Sequence, residues 1–208
     1  MVRDSAATRA RILDAAIEEF SAYGLAGARI DRIAEAAEAN KRSIYVYYQS
    51  KEALFTAAMR RVVGQLSDAV PLTEADLPGY AGRMFDYLLT HPEALRMGLW
   101  RQLERPAAGP DDTAVYRQKI AAMSGGGGGA ASGLPPTDLV VLVMGLSWAW
   151  LLSPEGLLAA DGSDPHSPDR LAAHRASIVE AARRVCTPRS SDSGRSGTGT
   201  VRSGHEGA

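Results

Sequence analysis

Residues 29–55 read RIDRIAEAAEANKRSIYVYYQSKEALF, and this stretch decides the fold. Ile30, Ile33, Ala34 and Ala37 recur at helical spacing and predict a short helix over Ile30–Ala37. A tight turn at Glu38–Ala39 follows, and Asn40 is placed to cap the next helix through its side-chain oxygen. Ile44 and Tyr48 form the inward face of that second helix. Its other positions, with the cap, carry hydrogen-bonding groups: Asn40, Lys41, Arg42, Ser43, Tyr45 and Tyr47. Ser50 then caps a further helix, with Glu52 in its first turn and Ala53, Leu54 and Ala57 continuing inward. Two short helices joined by a tight turn, the second crowded with polar donors, predict a helix-turn-helix whose second helix enters the DNA major groove.

Each polar residue has an expected task. Lys41 and Arg42 stand at the N-terminal end of the reading helix, nearest the groove, and Arg42 suits a bidentate contact to a guanine edge. Ser43 is small enough for close approach. Tyr45 and Tyr47 reach phosphates or base edges with their hydroxyls. Lys51 joins the amides at the start of the following helix in holding a phosphate, and Arg29, just before the first short helix, does the same. Asn40, Lys41, Arg42, Ser43, Tyr45, Tyr47, Lys51 and Arg29 are thus the expected DNA-binding set.

Working outward, Ile12, Leu13, Ala16 and Phe20 predict a helix over Thr8–Tyr23, closed by Gly24. The helix begun at Ser50 runs to about Val70, where Pro71 stops it. A composition shift over Pro71–Pro78 separates a small N-terminal module from the rest. Helices are expected over Tyr80–Thr90, from Pro92 through Leu103, and over Asp111–Met123, with a break at Pro106–Pro110. Ser124–Pro136 holds five consecutive glycines and two prolines and reads as a flexible loop. Thr137–Leu152 is an apolar helix capped by Thr137 or Asp138, Asp161–Pro168 a loop, and Pro168–Cys186 the last helix, with Leu171, Ile178, Ala182 and Val185 inward. The residues from Thr187 onward have almost nothing to bury and read as a disordered tail. No repeat and no strand is legible, so the class is all-α.

Composition narrows the function classes. The 208 residues carry 45% apolar side chains, enough for a core, and a formal net charge of −1. DNA affinity must therefore come from a local patch. One cysteine, Cys186, excludes a disulfide framework within the chain and fits a reducing, cytoplasmic setting. The N-terminus lacks the apolar run of a signal peptide, and Leu139–Leu152 is short for a membrane span. Neither a Gly-x-Ser-x-Gly elbow, a phosphate loop, a Ser-His-Asp set nor a metal motif is present, so no enzyme, metal or cofactor is expected. The four histidines, His91, His166, His174 and His205, are scattered, mostly in loops or on a polar face.

From about Ala7 to Phe55 the chain resembles the DNA-binding region of TetR-type transcriptional regulators. The resemblance rests on Ile33-Ala34, the turn at Glu38-Ala39, Tyr45 and Tyr48, and Ser50-Lys51-Glu52 with Leu54. Three positions depart from that pattern. Glu38 stands where the family often has glycine, and a left-handed backbone there costs roughly 1–2 kcal/mol. Ala28 stands where a threonine usually caps the first short helix, so that cap is expected to be missing, with Arg29 compensating by a phosphate contact. Tyr48 replaces a usual phenylalanine, and its hydroxyl needs a partner or a path to water.

The resemblance implies a helix-turn-helix domain over residues 1–55 and a larger helical ligand-binding and dimerisation domain over 56–186, and the disordered tail expected from composition occupies 187–208. It implies a homodimer whose last two long helices form a four-helix interface. The apolar run Leu139–Leu152 agrees, since a helix apolar all round must be covered on all sides. A purely intramolecular core helix is the other reading. Phe85, Leu88, Met97, Trp100, Tyr116, Met144 and Trp148 are the expected lining of an effector pocket, with Arg96, Arg101 or Gln102 as polar handles. The same residues also suit a plain core. The expected function is a repressor that a small apolar or amphipathic ligand releases from a near-palindromic operator in double-stranded DNA. A transcriptional activator and a helical protein-interaction module are the alternatives.

Overall fold

The computed structural model describes residues 2–105, six positions between 113 and 121 (113, 114, 116, 117, 120 and 121) and residues 133–187. The helices are α1 (Val2–Gly27), α2 (Ile30–Ala36), α3 (Lys41–Tyr48), α4 (Lys51–Ala69), α5 (Leu77–Thr90), α6 (Pro92–Glu104), α7 (Pro136–Trp148), α8 (Glu155–Leu158) and α9 (Pro168–Cys186). Short 3-10 turns lie at Glu74–Asp76 and Trp150–Leu152. Among the described residues there is no strand, and the all-α class holds. The six described positions between 113 and 121 are helical, as expected. The predicted break at 106–110, the glycine run and the tail beyond Thr187 lie outside the described residues.

Most boundaries follow the sequence, and the exceptions have local causes. The first helix begins at Val2, well before Thr8. Gly24 interrupts it at φ 69°, ψ −178°, and a further turn runs on to Gly27. Ala53 is exposed, not inward; Leu54, Phe55, Ala58 and Val62 form the buried stripe of α4. Neither Thr137 nor Asp138 caps α7. Pro135 holds the cap position and Pro136 opens the first turn, where a missing N–H costs no helical hydrogen bond. Ser50 caps α4 as expected, and Ser167, which was not among the expected caps, caps α9.

Two cores form. The first joins α1 to α4 through Ile12, Ala16, Phe20, Ile33, Ile44, Leu54 and Phe55, with Phe20 and Phe55 edge-to-face at 5.1 Å. The second packs α5 between α7 and α9 through Tyr80, Met84, Phe85, Leu88, Leu139, Val143 and Ile178. Gly82 lets α5 and α9 approach, since a Cβ there would meet Val179 at 2.9 Å, and Asp86 pairs with Arg175 at 2.7 Å alongside. α4 passes from the first core to the second, which it enters through Leu66. The two units thus share a continuous helix, and packing partners change along it without a linker.

His174 is not on a polar face. Its ring packs tilted against Trp150 at 4.3 Å and edge-on to Phe85 at 5.5 Å, its Nε2 is buried without a partner, and burial beside Arg170 pushes its pKa down. The folded state therefore holds this imidazole neutral where the unfolded chain protonates it. Its stabilisation is complete above the ordinary histidine pKa of about 6.5 and is lost as pH falls below it. Urea midpoints are expected to drop between pH 7.5 and 5.5, and His174→Gln to flatten that drop. An equal drop in the variant would assign the effect to other groups.

Candidate nucleic-acid interface

The outward face of α3 is built from the turn upward. Glu38 takes φ 48°, the left-handed conformation expected at that turn, and its N–H bonds the Glu35 carbonyl at 3.1 Å. Asn40 caps α3, its Oδ1 accepting from the Arg42 N–H at 2.8 Å. Ile44 and Tyr48 then point into the first core, which fixes the rotation of the helix. The Tyr48 hydroxyl donates to the Arg9 carbonyl at 3.2 Å, and burial raises its pKa. That is the partner the tyrosine needed.

The start of α2 is satisfied in a way the sequence concealed. Arg29, not Ala28, holds the cap position, and its side chain makes no capping bond. Glu19 of α1, nearly buried, accepts from the Arg29 N–H at 2.8 Å and from Arg32 Nε at 2.8 Å. The same carboxylate raises the Arg32 pKa. A residue ten positions upstream thus replaces the missing threonine, and local spacing gives no sign of it.

The expected DNA-binding residues fall into three groups. Arg42 and Tyr45 are exposed on α3, and the Arg42 guanidinium engages no partner among the described residues. Ser43 is half-buried beside them. With Asn40, Val46 and Tyr47, Arg42 and Ser43 line a shallow depression of ≈ 210 Å³. Lys41, Tyr47 and Lys51 have internal contacts. Lys41 pairs with Asp31 at 2.7 Å, which raises its pKa, and the Tyr47 hydroxyl donates to Ser5 Oγ at 3.3 Å. The Lys51 ammonium donates to the Ala26 and Ala28 carbonyls at 3.3 and 3.1 Å, tying α4 to the α1–α2 connection. Arg29 is exposed at the head of α2, away from that depression's lining. Val46, 71% exposed at the centre of the α3 surface, was absent from the expected set. The periodicity that turns Ile44 and Tyr48 inward turns Val46 outward, so the signal was there.

The expected effector residues do not form one cluster. Phe85 and Leu88 are buried in the second core, with Met144 and Trp148 packed at its edge. Tyr116 is exposed. Met97 is fully buried in the first core, and Trp100 donates from Nε1 to the Ser21 carbonyl of α1 at 3.1 Å. Glu104, one turn on, accepts from the Leu25 and Ala26 N–H groups at 2.5 and 3.2 Å. Met97, Trp100 and Glu104 therefore fasten α6 to the DNA-binding module. The neighbouring flank of α6 carries Leu95, Arg96 and Leu99, which with Leu88, Leu151 and Leu152 line an open cleft of ≈ 340 Å³.

Among the described residues no helix is long and apolar enough to cross a membrane, and no three histidine, cysteine, aspartate or glutamate residues are grouped to hold a metal ion.

Two family models match this chain. "Bacterial regulatory proteins, tetR family" covers residues 12–58, and "Tetracyclin repressor-like, C-terminal domain" covers residues 76–184. The HTH-type transcriptional repressor SCO4008 of Streptomyces coelicolor is 38% identical over 190 residues, spanning 88% of this chain and 97% of that protein. The HTH-type transcriptional repressor NicS of Pseudomonas putida is 38% identical over 93 residues, 41% of this chain and 44% of its own length. Among solved structures, the transcriptional regulator SCO4942 from Streptomyces coelicolor superposes with a TM-score of 0.73 at 35% identity, covering 85% of this chain and 96% of its own. A TetR family regulator from Marinobacter aquaeolei VT8, at 20% identity and TM-score 0.66 over 87% of this chain and 98% of its own, shares the fold.

Proposed function

This chain belongs to the TetR family of DNA-binding transcriptional regulators, and on that premise we propose that it is a homodimeric repressor released from a near-palindromic operator by a small amphipathic ligand. The observation that carries this reading is the double duty of α6. One flank, through Met97, Trp100 and Glu104, grips the DNA-binding module, and the adjacent flank lines a leucine cleft. A molecule that wedges into the cleft displaces the helix that positions α1, and with it the spacing of the reading helices.

Repression is favoured over activation because SCO4008 and NicS both bear the name repressor. The effector class follows from the lining: leucine side chains suit an apolar body, and the Arg96 guanidinium suits a polar end. The expected DNA-binding set of Arg29, Asn40, Lys41, Arg42, Ser43, Tyr45, Tyr47 and Lys51 narrows to base reading by the α3 face and phosphate contact by the rest. A second copy of the chain is the proposed cover for Val141 and Leu142, which stand 61% and 47% exposed on α7. In a symmetric dimer, two α3 helices would lie one DNA turn apart, ~34–36 Å.

The test is fluorescence anisotropy with the DNA upstream of the chain's own gene and a scrambled duplex, titrated with salt. Selective binding, two chains per site, with a steep salt slope is expected. Amphipathic compounds that release the DNA should lose their effect when Leu99→Trp fills the cleft. Equal, weak binding to both duplexes, repeated with sequences selected from random DNA, would sink the regulator reading. Release that survives Leu99→Trp would move the effector site elsewhere.

A further inference from the structure

Val46 is an anomaly on the α3 surface. It is a β-branched aliphatic side chain, 71% exposed, in a helix of eight residues. Valine is a poorer helix former than the lysine, glutamine or alanine that suit such a position. No core takes it in: Ile44 and Tyr48 occupy the first core, whereas Val46 is neither a member of that core nor packed against it. Its surroundings are polar, with Arg42 one turn before it and Ser43 three residues before it on the rim of the same depression. The fold thus gains nothing from an aliphatic group here.

Resting on the reading of α3 as the DNA-contacting helix, we propose that Val46 is a specificity residue that reads the C5-methyl group of a thymine. Along the major-groove edges of the four base pairs, nitrogen and oxygen donors and acceptors are the rule, and the thymine methyl is the only apolar feature. An exposed isopropyl group on the rim it shares with Arg42, Ser43 and Tyr47 has one complementary target on that surface. Arg42 at i−4 and Val46 lie one turn apart on the same face, so the two read neighbouring base pairs: Arg42 a guanine, Val46 a thymine. Ser43, small and lying between them, permits the close approach that a methyl contact requires. Discrimination at this position comes from excluded water, so it adds selectivity without adding charge or salt dependence.

The experiment is a thymine-to-deoxyuridine scan of the bound operator, which deletes one methyl at a time and leaves every hydrogen bond intact. Wild-type protein and Val46→Ala are compared on each duplex. At one symmetric pair of positions, deoxyuridine is expected to weaken wild-type binding about fourfold per half-site, hence about fifteenfold for both. Val46→Ala is expected to bind the thymine duplex as weakly as wild type binds the deoxyuridine one, and to be indifferent to the methyl. Val46→Thr, which keeps one methyl, should retain part of the discrimination. Because residue 46 is exposed and alanine is the better helix former, neither variant should melt below wild type. The proposal is overturned if wild type ignores every methyl, or if Val46→Ala discriminates as wild type does. Steep salt-dependent binding alongside either result leaves the regulator reading standing; loss of all selective duplex binding removes both.

Discussion

Replacing Arg42 with alanine is expected to weaken operator binding between roughly thirtyfold and twenty-thousandfold. A good bidentate contact to guanine contributes about 1–3 kcal/mol of discrimination, and a dimer on a near-palindrome makes it twice. The structural ground is that Arg42 is exposed on α3 with no partner among the described residues, while the Asn40 cap on its own N–H fixes where the side chain starts. By contrast Lys41 is paired with Asp31 and Lys51 with two carbonyls, so either loses an internal contact on meeting a phosphate. The salt dependence separates the two kinds of role. A base reader, when removed, costs affinity for the operator far more than for a scrambled duplex. A phosphate contact costs both alike and lowers the salt slope by about one per subunit. If Arg42→Ala behaves in that second way, Arg42 positions the protein without reading sequence.

Gly24→Ala is expected to cost about 3 kcal/mol of stability or more, read as a shift in the urea midpoint. Two independent reasons converge on this position. The backbone sits at φ 69°, ψ −178°, a region essentially reserved for glycine, and forcing another residue into it costs of order 1–3 kcal/mol. A Cβ there would also stand 2.8 Å from both the Trp100 ring and the Glu104 carboxylate, and overpacking adds typically 1–3 kcal/mol. Trp100 is held by its bond to the Ser21 carbonyl and Glu104 by the Leu25 and Ala26 N–H groups, so neither yields freely. Gly98→Ala supplies the contrast. Gly98 lies within α6 with nothing near its Cβ position, and alanine there is expected to stabilise by roughly 0.5–1 kcal/mol. Opposite signs for the same chemical change would establish that the kink of α1 against α6 is a packed joint. A cost below about 1 kcal/mol at Gly24 would mean the joint relaxes, and the route from the cleft to the DNA-binding module through α6 would lose its rigid element.

The amino-acid sequence determined the helix-turn-helix almost completely. Helical spacing of Ile30, Ile33, Ala34 and Ala37, the Asn40 and Ser50 caps, and the inward register of Ile44 and Tyr48 are all local features. Local hydrogen bonding and a 3.6-residue period specify them without reference to distant residues. The left-handed turn at Glu38 was implied by the resemblance to TetR-type regulators, which often carry glycine at that position, and not by the spacing itself. Only the tertiary structure decided the rest. Glu19 capping α2 from α1, Lys51 bonding the α1–α2 connection, and Met97 and Trp100 serving the first core and α1 are contacts between residues 10 to 79 positions apart. An apolar side chain at helical spacing declares that it is buried, but the declaration is the same for every neighbour it might have. Hydrophobic burial is non-directional, so α6, flanked by two cores, could assign its methionine and tryptophan to either; the crossing of helices chose, and sequence spacing carries no record of that choice.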